Sequence, residues 1–344
     1  MDIKGLATGI GSLPYKDVDA ALDLIFKYTP QIPFWPQLPR RDIREGMVAQ
    51  FSEGLPCVKV TDKGIFFDPT DKEKELEKFY ERIINKDIEY FKISGDFAQG
   101  LHAFYNRLNQ SELRHIKFIK CHITGPFSFA ASIKGEDGKA LLHDPVFMQA
   151  IINGLAMKAL WQIKLFKKFG KVIVFIDEPY LASFGSAYTP VNREDVVKGL
   201  TELIERVKEP GDVLSGVHCC GNTDWPIFTD IKAIDIINFD AYNYLDRFLL
   251  YFENLLGFLG RGGILAWGIV PTESLNREIN VSELARRLNE ACNQLVSKGI
   301  EEEIIKKRLI LTPSCGLGTL SHDKAETIFK CLSELSSFVK VECD

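Results

Sequence analysis

Apolar and polar positions alternate along this chain on two scales. Short runs rich in Val, Ile, Leu and Phe recur at KFIKCHITG (117–125), VIVFIDEP (172–179), VLSGVHCC (213–220), DIINFDA (235–241), GILAWGIV (263–270) and LILTPSCG (309–316). Earlier candidates are GLATGIGS (5–12), QIPFWPQ (31–37) and EYFKIS (89–94). Near-continuous apolar runs of this length predict parallel strands covered on both faces. Between them the period lengthens to that of a helix. Asn192 is placed to cap a helix with Val196, Leu200, Leu203, Ile204 and Val207 on one face. Asn280 and Glu283 have capping-box spacing before Leu284, Leu288, Ala291 and Leu295. Ser321 precedes Ala325, Ile328, Phe329 and Leu332 in the same pattern. CVKVTDKGIFFD (57–68) reads as a hairpin turning at Asp62-Lys63-Gly64.

About eight strands alternating with helices predict a single α/β domain over residues 1–344, a (β/α)8 TIM barrel with a small N-terminal hairpin insertion. A doubly wound open sheet is the competing architecture.

Composition narrows the function. The 344 residues carry a net charge of -5, with no basic block and no basic-aromatic interleaving, which argues against nucleic acid and anionic membrane as partners. No apolar run in the sequence approaches the roughly 18 to 20 residues of a membrane span. The opening MDIKGLATGIGSLP lacks the apolar core of a signal peptide. A cytoplasmic setting is expected, where the eight cysteines stay reduced, buried or metal-bound.

In a barrel, reactive side chains gather at the C-terminal strand ends. The runs here end in Gly9-Ile10-Gly11-Ser12, Thr124-Gly125-Pro126, Asp177-Glu178-Pro179, His218-Cys219-Cys220, Asp240 and Cys315. On a strand, i and i+2 share a face, so His218 and Cys220 project together and Cys219 projects away. Zinc accepts one imidazole and one thiolate and prefers four ligands; Cys315 and Asp240, at neighbouring strand ends, are the further candidates. A strand-end cysteine is also commonly a small buried hydrophobe, and the residues alone leave both readings open. Cys121, Cys292, Cys331 and Cys343 have no partner in such a pattern and are assigned structural roles. The segment Pro33 to Arg41, with Phe34, Trp35, Arg40 and Arg41, reads as a rigid packed loop, with carboxylate or corrinoid contact by the arginines as the alternative.

The ordered set Ile10-Gly11-Ser12, Thr124-Gly125-Pro126, Ile176-Asp177-Glu178-Pro179, His218-x-Cys220 and Cys315-Gly316-Leu317 resembles the C-terminal catalytic barrel of cobalamin-independent methionine synthase. That superfamily also holds uroporphyrinogen decarboxylase and the corrinoid-dependent thiol methyltransferases. The resemblance spans nearly the whole chain. It implies zinc held by His218, Cys220 and Cys315, with Asp240 in the place of the family's glutamate. It also implies an amino-acid substrate against the backbone of Ile10 to Ser12, its amino group met by Asp177. Asp96, in Ser94-Gly95-Asp96, stands where the family has a further glutamate.

Three departures bear on the methyl donor. No stretch of these 344 residues resembles the family's N-terminal half. Its tryptophan-bearing segment is replaced by PFSFAASIKGEDG (126–138). Its histidine near the end of the seventh strand is missing from Trp267-Gly268-Ile269-Val270-Pro271. The resemblance therefore implies a zinc-dependent methyltransferase acting on a thiol, most simply homocysteine to methionine, with a methyl-corrinoid on a partner protein as donor. A metal-free decarboxylase of the uroporphyrinogen type and a non-catalytic zinc- or ligand-binding barrel are the alternatives.

Overall fold

The computed structural model describes residues 3–110, 114–186, 189–273 and 280–341. Cys343 lies outside them. Seven parallel strands form one curled sheet: β1 (Leu6–Ala7), β4 (Phe118–Thr124), β5 (Lys171–Asp177), β6 (Val213–Cys219), β7 (Ile236–Phe239), β8 (Ile264–Val270) and β9 (Leu309–Pro313). Their order is β1-β9-β8-β7-β6-β5-β4, the sequential neighbours expected of a barrel rather than of a doubly wound sheet. Each strand lies inside an apolar run of the sequence, or starts one residue before it. The hairpin also forms, as a separate antiparallel pair of β2 (Val58–Thr61) and β3 (Gly64–Phe67), with Thr61 opposite Gly64. Gly64 takes φ +125°, a left-handed value that disfavours any side chain at the turn.

Two runs do not become strands. Residues 89–94 overlap a 3-10 turn, Ile88–Phe91, capped by Asp87, whose carboxylate accepts from Tyr90 N at 3.3 Å. Capping by a short acidic side chain wins over an apolar pattern only a few residues long. Residues 31–37 run between the two sheet edges without a regular ladder. Gln31 O accepts from Lys117 N at 2.9 Å and Pro33 O from Lys120 N at 2.9 Å, on the β4 side. Thr8 Oγ1 donates to Ile32 O at 2.9 Å and Gln37 N to Gly11 O at 3.0 Å, on the β1 side. Pro33 and Pro36 carry no N–H, so regular pairing on both sides is impossible. The regular sheet thus has seven strands where the periodicity predicts about eight.

Strand alternation divides the apolar residues into two cores. Leu6, Phe118, Ile173, Phe175, Ile236, Ala266 and Ile310 point inward, together with Ile32 from the irregular segment. The outward residues join the helices in the larger core. The expected caps form: Asn192 accepts from Glu194 N at 2.9 Å and Asn280 from Glu283 N at 3.1 Å. The helix Pro145–Phe166 is long and apolar enough to cross a membrane by length and composition, contrary to the expectation from sequence, but 78% of that window is buried inside the fold. It packs on β4, β5 and the helix Arg193–Lys208, which accounts for its all-round apolar surface.

Candidate metal centre and substrate cavity

The inward face changes character toward the C-terminal ends of the strands. Above the apolar layer lie Lys120, His122 and Thr124 on β4, Asp177 on β5, His218 on β6, Asn238 on β7 and Thr312 on β9. His218 is buried in the strand, and Cys220 follows just beyond its end. Cys219 faces the outer core at 0% exposure, as alternation requires. Burial pushes its thiol up to about 12. Cys315 arrives from the loop after β9. The ligand atoms of His218, Cys220 and Cys315 all lie within 4.8 Å of one another. None of the described cysteines forms a disulfide.

Asn238 sets the orientation of His218. Its amide nitrogen donates to Ala266 O at 2.8 Å and to Thr312 Oγ1 at 2.9 Å. Ala266 O can only accept, so the amide oxygen must face the other way, toward His218 Nδ1 at 2.5 Å. Nδ1 therefore carries the proton, and Nε2 is the nitrogen left for a metal or for Cys315. This is the outer-shell arrangement of a metal-ligating histidine. With one imidazole and two thiols converging, the donor set fits zinc.

The electrostatics prepare the same ligands. Hydrogen bonding from Cys220 and the neighbouring His218 ring hold the Cys315 thiol well below its usual range. Cys220, which shares its proton with Cys315, is correspondingly pushed up. Burial pulls His218 down, but the Cys315 thiolate and the Asp177 carboxylate more than offset it, and its net shift is upward.

A cavity of about 300 Å³ opens onto this triad, lined also by Ile10, Ser12, Gln37, Met47, Asp177 and Gly316. It brings together most of the residues expected from the sequence. Asp177 ends β5 beside His218 in the strand register. Its Oδ1 is buried with no hydrogen-bond partner, and burial raises its pKa. Gly316 packs on Ser12, where a Cβ would come 2.3 Å from Ser12 Oγ, so a side chain at that position would force the serine hydroxyl to move.

Asp96 lies outside the cavity. Its side chain is 78% exposed and pairs with Arg44 at 3.5 Å on the surface. Asp240, expected as a fourth ligand, caps the helix Ala241–Phe248 instead. Its Oδ1 accepts from Asn243 N at 2.9 Å and its Oδ2 from Asn243 Nδ2 at 2.7 Å. An aspartate at a helix start meets unpaired N–H groups at once, and that local bond competes with reaching the triad. Arg40 donates to Thr319 O at 2.6 Å and Arg41 pairs with buried Glu45, in keeping with a packed loop over Phe34, Trp35 and Leu38.

The sequence reading gave no role to Glu178, although it sits in the Asp-Glu-Pro motif, nor to the buried polar residues His122, Lys120 and Asn238. Glu178 accepts from Phe127 N, Ser128 N and Ser128 Oγ at 2.9, 2.9 and 2.7 Å. It locks the Asp-Glu-Pro and Thr-Gly-Pro segments together, and a Cβ at Gly125 would come 2.2 Å from its carboxylate. His122 stacks on Trp35 at 3.8 Å beneath Gly11. Lys120 is fully buried, and Asn238 orients His218. A lysine inside an otherwise apolar strand, and an asparagine two residues before Asp240 on the same face, were the signals available.

No protein-family model matches the chain, and no curated protein matches it either. Among solved structures, the chain is similar to a B12-independent methionine synthase from Shewanella sp. W3-18-1 in complex with selenomethionine. The two share 18% identity over 71% of this chain and 67% of that one, with a TM-score of 0.50. At this identity the likeness shows a related α/β fold, the curled parallel sheet described above.

Proposed function

We propose that this protein is a zinc-dependent methyltransferase that moves a methyl group to the sulfur of homocysteine, giving methionine. The observation that carries the reading is the meeting of His218 Nε2, Cys220 and Cys315 in one cavity with the unpartnered oxygen of Asp177. The fold neighbour, a methionine synthase solved with selenomethionine, supports the same substrate class. When bound, zinc supplies a Lewis acid that keeps a thiol deprotonated at neutral pH, where an ordinary thiol with a pKa of about 8.5 is mostly protonated.

The chain's own residues supply the rest. Asn238 holds His218 in the ligating tautomer. Asp177 Oδ1 accepts the substrate ammonium, a charge-assisted bond that satisfies a buried oxygen otherwise left bare. Ile10, Pro39 and Met47 offer apolar wall to the methylene chain. The thiol gives its proton to solvent, its sulfur lone pair forms the new bond to methyl carbon, and the donor departs with the old bonding pair.

The donor is a methyl-corrinoid carried by a partner protein. The segment 126–138, which replaces the family's folate-facing tryptophan stretch, forms a short helix, Pro126–Ala131, and a turn bridged at Lys134 and Ala140. Decarboxylation of a polycarboxylate is disfavoured: Asp177 and two cysteines line the cavity, and among the described residues no arginine or lysine does. Metal analysis of protein purified without chelator, followed by methyl transfer from methylcobalamin to homocysteine, tests the reading. Metal-free protein, or no thiol-dependent demethylation, overturns it. Faster turnover with methyl-tetrahydrofolate in corrinoid-free protein overturns the donor.

A further inference from the structure

Lys120 has no place in the chemistry above, and its position is costly. It points inward from the middle of β4, a strand buried along its whole length. Its side chain is 1% exposed, and no carboxylate lies within salt-bridge distance of it among the described residues. An ammonium taken out of water without an ion-pair partner is strongly unfavourable, and an aliphatic residue would fill this position at no such cost. Burial lowers the lysine pKa to about 8, so the group stays largely charged at neutral pH. Its partners are the Ile10 carbonyl at 2.5 Å and the faces of Phe175 at 4.8 Å and Phe34 at 5.7 Å.

Ile10 shows what the lysine does. The ladder of β1 covers Leu6 and Ala7 only, and the Thr8 N–H still reaches Leu311 O at 3.0 Å. Beyond that the chain leaves the sheet to form the cavity wall at Ile10 and Ser12. Gly11 O accepts from Gln37 N and Ser12 O from Leu317 N, so the two carbonyls that follow have backbone partners. The Ile10 carbonyl is held by Lys120 instead. Asp177 and Lys120, on the inward faces of adjacent strands, also feel each other's charge. Two thiolates and the Asp177 carboxylate would be neutralised by a divalent ion and this one ammonium together.

We infer that Lys120 is a positioning residue: its ammonium replaces the missing ladder partner of Ile10 and fixes the Ile10–Ser12 wall against which the substrate binds. The binding part rests on the function proposed above; the fixing of the wall does not. Lys120→Met removes donor and charge, and Lys120→Gln keeps an N–H donor without charge, so two variants guard against a folding defect in one. Three measurements apply to the full-length protein: the melting temperature, hydrogen exchange of the peptide covering residues 9–13 without ligand, and homocysteine affinity by calorimetry.

The expected result for Lys120→Met is a melting temperature no lower than wild type and unchanged metal content. Exchange of Gly11 to Leu13 should be faster, and homocysteine affinity weaker by about 10- to 100-fold, the range of a hydrogen bond to a charged group. KM should rise with kcat changed little, and Lys120→Gln should recover part of the affinity. Unchanged exchange overturns the inference, as does faster exchange with unchanged affinity, or a melting temperature that falls in both variants. Wild-type protein that fails to bind homocysteine refutes the proposed function, while the exchange measurement still judges the wall.

Discussion

Replacing Asn238 by leucine removes the group that orients His218 while leaving the three proposed metal ligands, His218, Cys220 and Cys315, in the chain. Asn238 is fully buried, and its amide makes three hydrogen bonds: from His218 Nδ1 at 2.5 Å, to Ala266 O at 2.8 Å and to Thr312 Oγ1 at 2.9 Å. Leucine has the same branching and heavy-atom count but bulkier methyl groups, so no cavity opens, and any overpacking adds to the loss of the polar contacts. At about 1 kcal/mol net for each neutral hydrogen bond, the fold should lose on the order of 3 kcal/mol. The metal should be affected separately. An imidazole freed from its outer-shell partner can rotate or present the wrong nitrogen, and such losses weaken metal affinity by about 10- to 100-fold. That corresponds to about 1.4 to 2.7 kcal/mol of binding energy. Zinc competition against a chromophoric chelator measures the affinity directly, and thermal melts with and without saturating zinc give an independent value, because a ligand stabilises the fold by its binding free energy. Asn238→Asp is the companion variant. Its carboxylate still accepts from Nδ1–H but cannot donate to Ala266 O, so it should lose stability yet keep most of the zinc affinity. Wild-type zinc affinity in Asn238→Leu would refute the tautomer argument.

The other outcomes concern single residues. Cys220→Ser should lose metal while Cys219→Ser retains it, since only Cys220 joins His218 and Cys315; equal loss by elemental analysis would contradict the alternation of side chains. Asp177→Asn should weaken homocysteine binding and leave metal content intact, and equal affinity for homocysteine and its des-amino analogue in wild type would remove Asp177 from the pocket's chemistry. Burial pushes Glu178 up to about 7 against three hydrogen-bond donors that pull it down. The folded protein therefore holds a proton there that the unfolded chain releases near pH 4.5, so this residue's contribution is fully present below about pH 4.5 and is lost as pH rises through 7. The difference is on the order of 3 kcal/mol. Subtracting the Glu178→Gln stability curve from that of wild type should reveal a fall across this window, and a flat difference would show that burial does not dominate.

Much of this architecture is legible in the chain because it is written in local periodicity. Runs such as VIVFIDEP and GILAWGIV become β5 and β8, and Asn192 and Asn280 cap the helices their spacing predicts. The pairing of His218 with Cys220, and the rejection of Cys219, follow from the two-residue repeat of a strand alone. Where a local competitor existed, periodicity misled. Asp87 drew the first half of residues 89–94 into the 3-10 turn Ile88–Phe91, and the prolines at 33 and 36 denied residues 31–37 a regular ladder.

What tertiary structure alone decided is which distant side chains meet, and in what direction each one points. Asp240 stands at the right strand end for a ligand, yet the N–H groups of the following helix take its carboxylate. Asp96 matches a triplet position but faces water, beside Arg44. Asn238 and Lys120 look like ordinary interruptions of apolar runs, and their roles depend on Ala266, Thr312 and Ile10 from other strands and loops. A strand's pattern specifies which face each residue occupies. It does not specify the partner across that face, because a hydrogen bond or a metal site is made by groups that only the packing of the curled sheet brings within a few ångströms.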